Sequence, residues 1–132
     1  VGRKLESRGI HRSHVCTYLT HMRRIHGVLH IARLLPLQGL AELCVNDEFN
    51  KLIAEGRLPG SLTQLSFGHY FNQAIAEGVL PGSLTQLSFG RCFNQPMGEN
   101  VLPGSLTLLS FGDGFIQPIA QGVLPGSLTQ LR

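Results

Sequence analysis

Five histidines fall between positions 11 and 30: His11, His14, His21, His26 and His30. Imidazole nitrogens bind zinc and other divalent metals, and two His four apart on a helix share one face. His26 and His30 have that spacing. No Glu follows the first of them, as it does in the H-E-x-x-H of zinc peptidases. His21 and His26 are spaced like the second half of a zinc finger, but no Cys pair lies upstream and Cys16 alone does not complete the set. We therefore assign no metal ligands and read the histidines as part of a basic, exposed helix face.

Arginine accompanies them. Arg12, Arg23, Arg24 and Arg33 are the candidate polyanion-binding residues, because guanidinium groups recognise phosphate. Tyr18 is the one aromatic among them, a poor platform for stacking bases. The charge is uneven: residues 1–35 carry about +6 and residues 36–132 carry −3, out of a formal +3. A basic segment thus precedes a mildly acidic remainder.

Catalytic constellations do not emerge. Ser61, Ser83 and Ser105 sit in Pro-Gly turns without the strand–turn–helix context of a nucleophile elbow. Asp113 and Glu99 form no recognisable acid–base pair. The glycines are punctuated by proline and make no phosphate loop. We assign no catalytic residue and no cofactor, and expect a non-enzyme. Three cysteines, an odd number with no CxxC pair, argue against a disulfide framework and for a reducing, cytoplasmic setting. No signal-peptide core follows the first basic residues. The apolar-rich span 15–35 is broken by arginine and histidine, so it is not expected to cross a membrane. The chain begins with Val1 and stops in mid-repeat at Arg132, which suggests a fragment of something longer.

The elements that hold these residues divide the sequence. Residues 1–12 are polar and basic, and disorder is expected there. Over 13–35, Val15, Leu19, Met22, Ile25, Leu29 and Ala32 recur at steps of three and four, which predicts an amphipathic helix that Pro36 ends. Such a helix would cover the open end of a stack formed by residues 36–132, or belong to a separate domain. Gly27 weakens it by about 1 kcal/mol.

From residue 36 the chain repeats. Leu58-Pro59-Gly60-Ser61-Leu62-Thr63-Gln64-Leu65-Ser66-Phe67-Gly68 returns at Leu80 and Leu102 and begins again at Leu124, with Pro59, Pro81, Pro103 and Pro125 spaced by 22. Residues 36–57 are a degenerate copy; 58–79, 80–101 and 102–123 are well formed; 124–132 are partial. A fixed period of this size marks a solenoid, whose coils bury a shared core. Pro-Gly is read as the centre of a type II turn. The alternation of Leu65 and Phe67 with Gln64, Ser66 and Gly68 predicts a short half-buried strand. Stacked in register, such strands make one parallel sheet. Phe67, Phe89 and Phe111 then form one column, and Phe49, Phe71, Phe93 and Phe115 another. Asn50, Asn72 and Asn94 form a polar ladder that Ile116 interrupts, read as structural because Asn side chains satisfy irregular backbone.

This sequence, with Phe71-Asn72-Gln73-Ala74, Phe93-Asn94-Gln95-Pro96 and Phe115-Ile116-Gln117-Pro118 at its core, closely resembles the FNIP repeat over about residues 36–132. It is also similar to short leucine-rich repeats, although Asn72 comes two residues later than their usual Asn. The resemblance implies a leucine-rich-repeat-like solenoid with a single parallel β-sheet, an irregular convex side and a role in protein–protein interaction. Some family members carry an F-box before the repeats and serve as substrate receptors; residues 1–35 show no such match, so that role is not carried over.

Comparing the repeats with each other separates what every coil needs from what varies. On the strand and the loop directly after it, the varying set is Gln64, Gln86 and Leu108; His69, Arg91 and Asp113; and Tyr70, Cys92 and Gly114. The first group points outward from the sheet and the others lie at its rim. The candidate protein-binding residues are therefore Gln64, His69, Tyr70, Gln86, Arg91, Leu108 and Asp113, with Tyr70 and Arg91 of the types that dominate interface energetics. The partner is expected to be another protein; nucleic acid bound through the basic segment is the alternative.

Overall fold

A computed structural model describes residues 24–28 and 39–132. The remaining residues include most of the segment expected to be disordered or helical. The described chain forms one sheet of six parallel strands in sequential order. These are β1 (Arg24–Val28), β2 (Glu42–Val45), β3 (Gln64–Ser66), β4 (Gln86–Ser88), β5 (Leu108–Ser110) and β6 (Gln130–Leu131). No described residue is helical, and no described helix is long and apolar enough to cross a membrane. The helix expected over 13–35 is corrected where it can be seen: Arg24–Val28 is a strand paired with Glu42–Val45. The register slips between His26 and Val28, so Gly27 sits in a bulge. Glycine suits a bulge and is costly inside a helix. The rest of that expected helix lies outside the described residues.

Register follows the period. Gln64 pairs with Gln86, Gln86 with Leu108 and Leu108 with Gln130. In β3, β4 and β5 the middle residue is buried and its neighbours are not. Leu43, Leu65, Leu87 and Leu109 thereby enter the core in one row, and Leu40, Leu62, Leu84 and Leu106 in a second. The phenylalanines make both expected columns. Phe67 and Phe89 stack at 5.4 Å between centroids, and Phe71 and Phe93 at 6.1 Å. The columns also touch within each coil, at 4.0 Å for Phe67–Phe71 and 3.8 Å for both Phe89–Phe93 and Phe111–Phe115. All these rings lie stacked and nearly parallel, within 14° of one another. Val45 stands in the Phe67 position one coil earlier and is buried there.

The turns differ from the sequence-based expectation. The Pro59 carbonyl accepts the Leu62 N–H at 3.2 Å, which makes Pro59 the first residue of the turn. Gly60, Gly82, Gly104 and Gly126 do not have positive φ. Positive φ falls instead at Gly56, Gly78 and Gly122, and at Asn100 in the coil between the last two. The Ala76 carbonyl accepts the Val79 N–H at 3.3 Å across Glu77-Gly78, the kind of turn that needs positive φ at its third residue. Asparagine tolerates this region better than other side chains, which is how Asn100 substitutes.

Candidate functional site

The strands and the loops after them are held by ladders that leave few backbone groups to a partner. The Thr63 carbonyl accepts the Thr85 N–H at 2.8 Å, the Gln86 N–H at 3.0 Å and the Thr85 hydroxyl at 3.1 Å. Thr107 and Leu108 repeat this pattern on Thr85. Ser83 and Ser105 donate their hydroxyls to Leu62 and Leu84 carbonyls, each at 2.6 Å. On the opposite side of the coil, Asn50 Oδ1 accepts the Asn72 N–H, Asn72 Oδ1 the Asn94 N–H and Asn94 Oδ1 the Ile116 N–H, at 2.9 to 3.0 Å. Gln73, Gln95 and Gln117 each donate Nε2 to the same Asn oxygen, at 3.0 to 3.1 Å. No buried side-chain polar atom among the described residues lacks a partner. Ser83, Ser105 and the ladder asparagines are thus occupied by bonds between coils.

The varying residues sit elsewhere. Gln64, Gln86 and Leu108 face each other in one row across β3, β4 and β5. Gln86 is exposed, while Gln64 and Leu108 are half-buried, so Leu108 is less open than its apolar nature on the outer row led us to expect. Past the strands, His69, Arg91 and Asp113 occupy equivalent loop positions on successive coils, with Arg91 and Asp113 exposed and His69 half-buried. Tyr70 follows His69, is 55% exposed, and meets the His69 ring edge-on at 4.6 Å. The equivalent Cys92 is a half-buried free thiol.

Sequence comparison of the repeats missed Asp47, which belongs to the same row one coil earlier. Its Oδ1 accepts the His69 N–H at 3.1 Å and its carbonyl the Tyr70 N–H at 3.0 Å. The signal was its place 22 residues before His69, obscured by the degeneracy of that coil. Gly68, Gly90 and Gly112 are the constant neighbours of this row. A Cβ on Gly68 would collide with Asp47 backbone, and one on Gly90 with the Gly68 carbonyl, so close approach of coils requires glycine here.

Of the candidate polyanion-binding residues, Arg24 lies in β1; Arg12, Arg23 and Arg33 lie outside the described residues. His26 is also in β1, so the helical spacing that would pair it with His30 does not apply to it. Among the described residues no three His, Cys, Asp or Glu converge as metal ligands do.

The pattern that defines the FNIP repeat matches residues 49–92 and 93–132, nearly two thirds of the chain. The chain belongs to the FNIP repeat family. This FNIP array is also similar to a solved structure, that of CroV588, described as a novel circular LRR protein. The two are 60% identical over 70% of this chain, with a TM-score of 0.69. The chain spans 14% of the length of CroV588. No curated protein matches the chain. The FNIP match and the LRR neighbour agree with the parallel, single-sheet stack described above, and such a repeat fold is consistent with a protein-interaction scaffold.

Proposed function

We propose that the chain is a non-catalytic protein-binding scaffold that meets its partner along the outer strand row and the loops beyond it. One observation carries this reading. On the strands and the loops directly after them, Gln64, Gln86 and Leu108 and then His69, Arg91 and Asp113 bring different chemistry to equivalent positions, while neighbouring Ser and Thr hydroxyls are used in ladders between coils. Variation along a strip with a fixed backbone beneath it supplies distinct chemistry at defined positions, as repeat proteins use their extended surfaces. Gln64, Gln86 and Leu108 would form the floor of contact, with His69, Tyr70, Arg91 and Asp113 along its rim. In a larger FNIP protein this strip would serve as the substrate-recognition part. The charge of +6 over residues 1–35 favours a second reading, polyanion binding through Arg12, Arg23, Arg24 and Arg33.

Capture from cell extract, washed at low and high salt, separates the two. The scaffold reading expects proteins retained through high salt by the wild-type chain and lost with the double variant Gln86→Arg, Leu108→Arg. Retention of nucleic acid that falls steeply with salt, unchanged by the double variant, would favour the basic segment instead.

A further inference from the structure

Among the varying rows, one changes in the sign of its charge. Asp47, His69, Arg91 and Asp113 stand at the same place on successive coils, just beyond β2, β3, β4 and β5. Hydrogen bonds fix the backbone beneath them: the Tyr70 N–H donates to the Asp47 carbonyl, the Cys92 N–H to that of His69 and the Gly114 N–H to that of Arg91, each at 3.0 Å. The row is therefore a rigid display of side chains. The adjacent row falls in size from Tyr70 to Cys92 to Gly114. A Cβ at Gly114 would collide with the Arg91 carbonyl oxygen, so this low shelf beside Tyr70 is built into the packing. Arg91 is also the one Lys or Arg between residues 58 and 123.

Resting on the protein-binding reading, we propose that this row is recognised by a helix of the partner laid along the stack, with Asp or Glu opposite Arg91 and Lys or Arg opposite Asp113. Spacing selects the helix. Successive coils lie about 4.8 Å apart. Residues three or four apart on a helix are about 5–6 Å apart, whereas alternate residues of an extended strand are about 6.6–6.8 Å apart. Only the helix keeps step over several coils. From Asp47 to Asp113 is three steps, about 14 Å, which about ten helical residues span. The apolar edge of the helix lies on the shelf, with Tyr70 as its anchor. Charge order then fixes direction, because the reversed helix sets like charges against each other.

The test uses a phage library of fifteen-residue alanine-based helical peptides, randomised along one face and selected on the whole chain. Affinities are then measured for the wild type and for the double variant Arg91→Asp, Asp113→Arg. The swap keeps net charge constant and touches two exposed side chains, leaving the core intact. Selected peptides should carry an acidic and a basic residue three or four apart in one order. They should lose about tenfold or more in affinity on the swapped variant, and exchanging their two charges should restore it. Equal affinity for both chains would overturn the proposal. Peptides insensitive to the swap but lost with Gln64→Lys, Gln86→Lys would overturn it too while leaving the scaffold reading in place. A library without binders also overturns it; the scaffold reading falls if extract capture retains no protein through high salt, or if what it retains is unchanged by Gln86→Arg, Leu108→Arg.

Discussion

Asn72 illustrates how a single residue holds two coils. Its backbone N–H donates to Asn50 Oδ1 at 2.9 Å, and its own Oδ1 accepts from the Asn94 N–H at 2.9 Å and Gln95 Nε2 at 3.0 Å. Alanine there leaves the half-buried Asn94 N–H without an acceptor and Gln95 Nε2 with only the Asn72 carbonyl at 3.4 Å, which costs about 1–3 kcal/mol. Gln64 lies on the outer row, and its truncation should stay within about 0.5 kcal/mol. Urea unfolding should therefore place Asn72→Ala well below Gln64→Ala in midpoint; coincident midpoints would remove the ladder from the account of stability. The ladder was legible in the sequence because Asn recurs at 22-residue steps. Its acceptors were not, since a repeat shows which side chains align and not which backbone groups they face. The Pro-Gly turn failed for a related reason. Both the dipeptide and its period are visible, but only the geometry shows that Pro59 begins the turn and that positive φ lies at Gly78.

Among elements, the paired phenylalanine columns join the sheet to the returning loops. Phe93 is fully buried and stacks on Phe71, Phe89 and Phe115. Phe115 is only half-buried and touches Phe93 and Phe111. Phe93→Ala should cost about 3–5 kcal/mol and Phe115→Ala about 1–2 kcal/mol, an order that thermal or urea unfolding will read directly. The register of β2 to β6 was legible because alternation within a coil and repetition between coils agree on it. That of β1 was not. Arg24 pairs with Glu42, a step of 18 residues in place of 22, so comparing repeats passes over it. The steps of three and four through Ile25 and Leu29 pointed to a helix instead. The strip of varying residues was legible as a set, while the half-buried state of Leu108 depended on how closely neighbouring coils enclose it.

For the molecule as a whole, each coil offers the next the same surface it receives. Removing residues 80–101 brings Leu102 directly after Val79. The coil 58–79 then meets 102–123: Asn72 Oδ1 takes over the Ile116 N–H and Gln117 Nε2 that Asn94 now serves, and Phe71 stacks on Phe115 as Phe93 does. The shortened chain should fold with the same circular dichroism spectrum, with stability lowered by about the share of one coil and its interface. Loss of cooperative unfolding would mean that the middle coil is not interchangeable. The identical spacing of the ladders thus makes length a stepwise quantity. A replication slip that gains or drops one coil's worth of codons yields a foldable product, whereas one that shifts the count by a few residues distorts the coil it falls in. A lineage carrying this chain can therefore lengthen or shorten its binding strip by recombination alone, and can diversify a new row of contacts before any point mutation has touched the core.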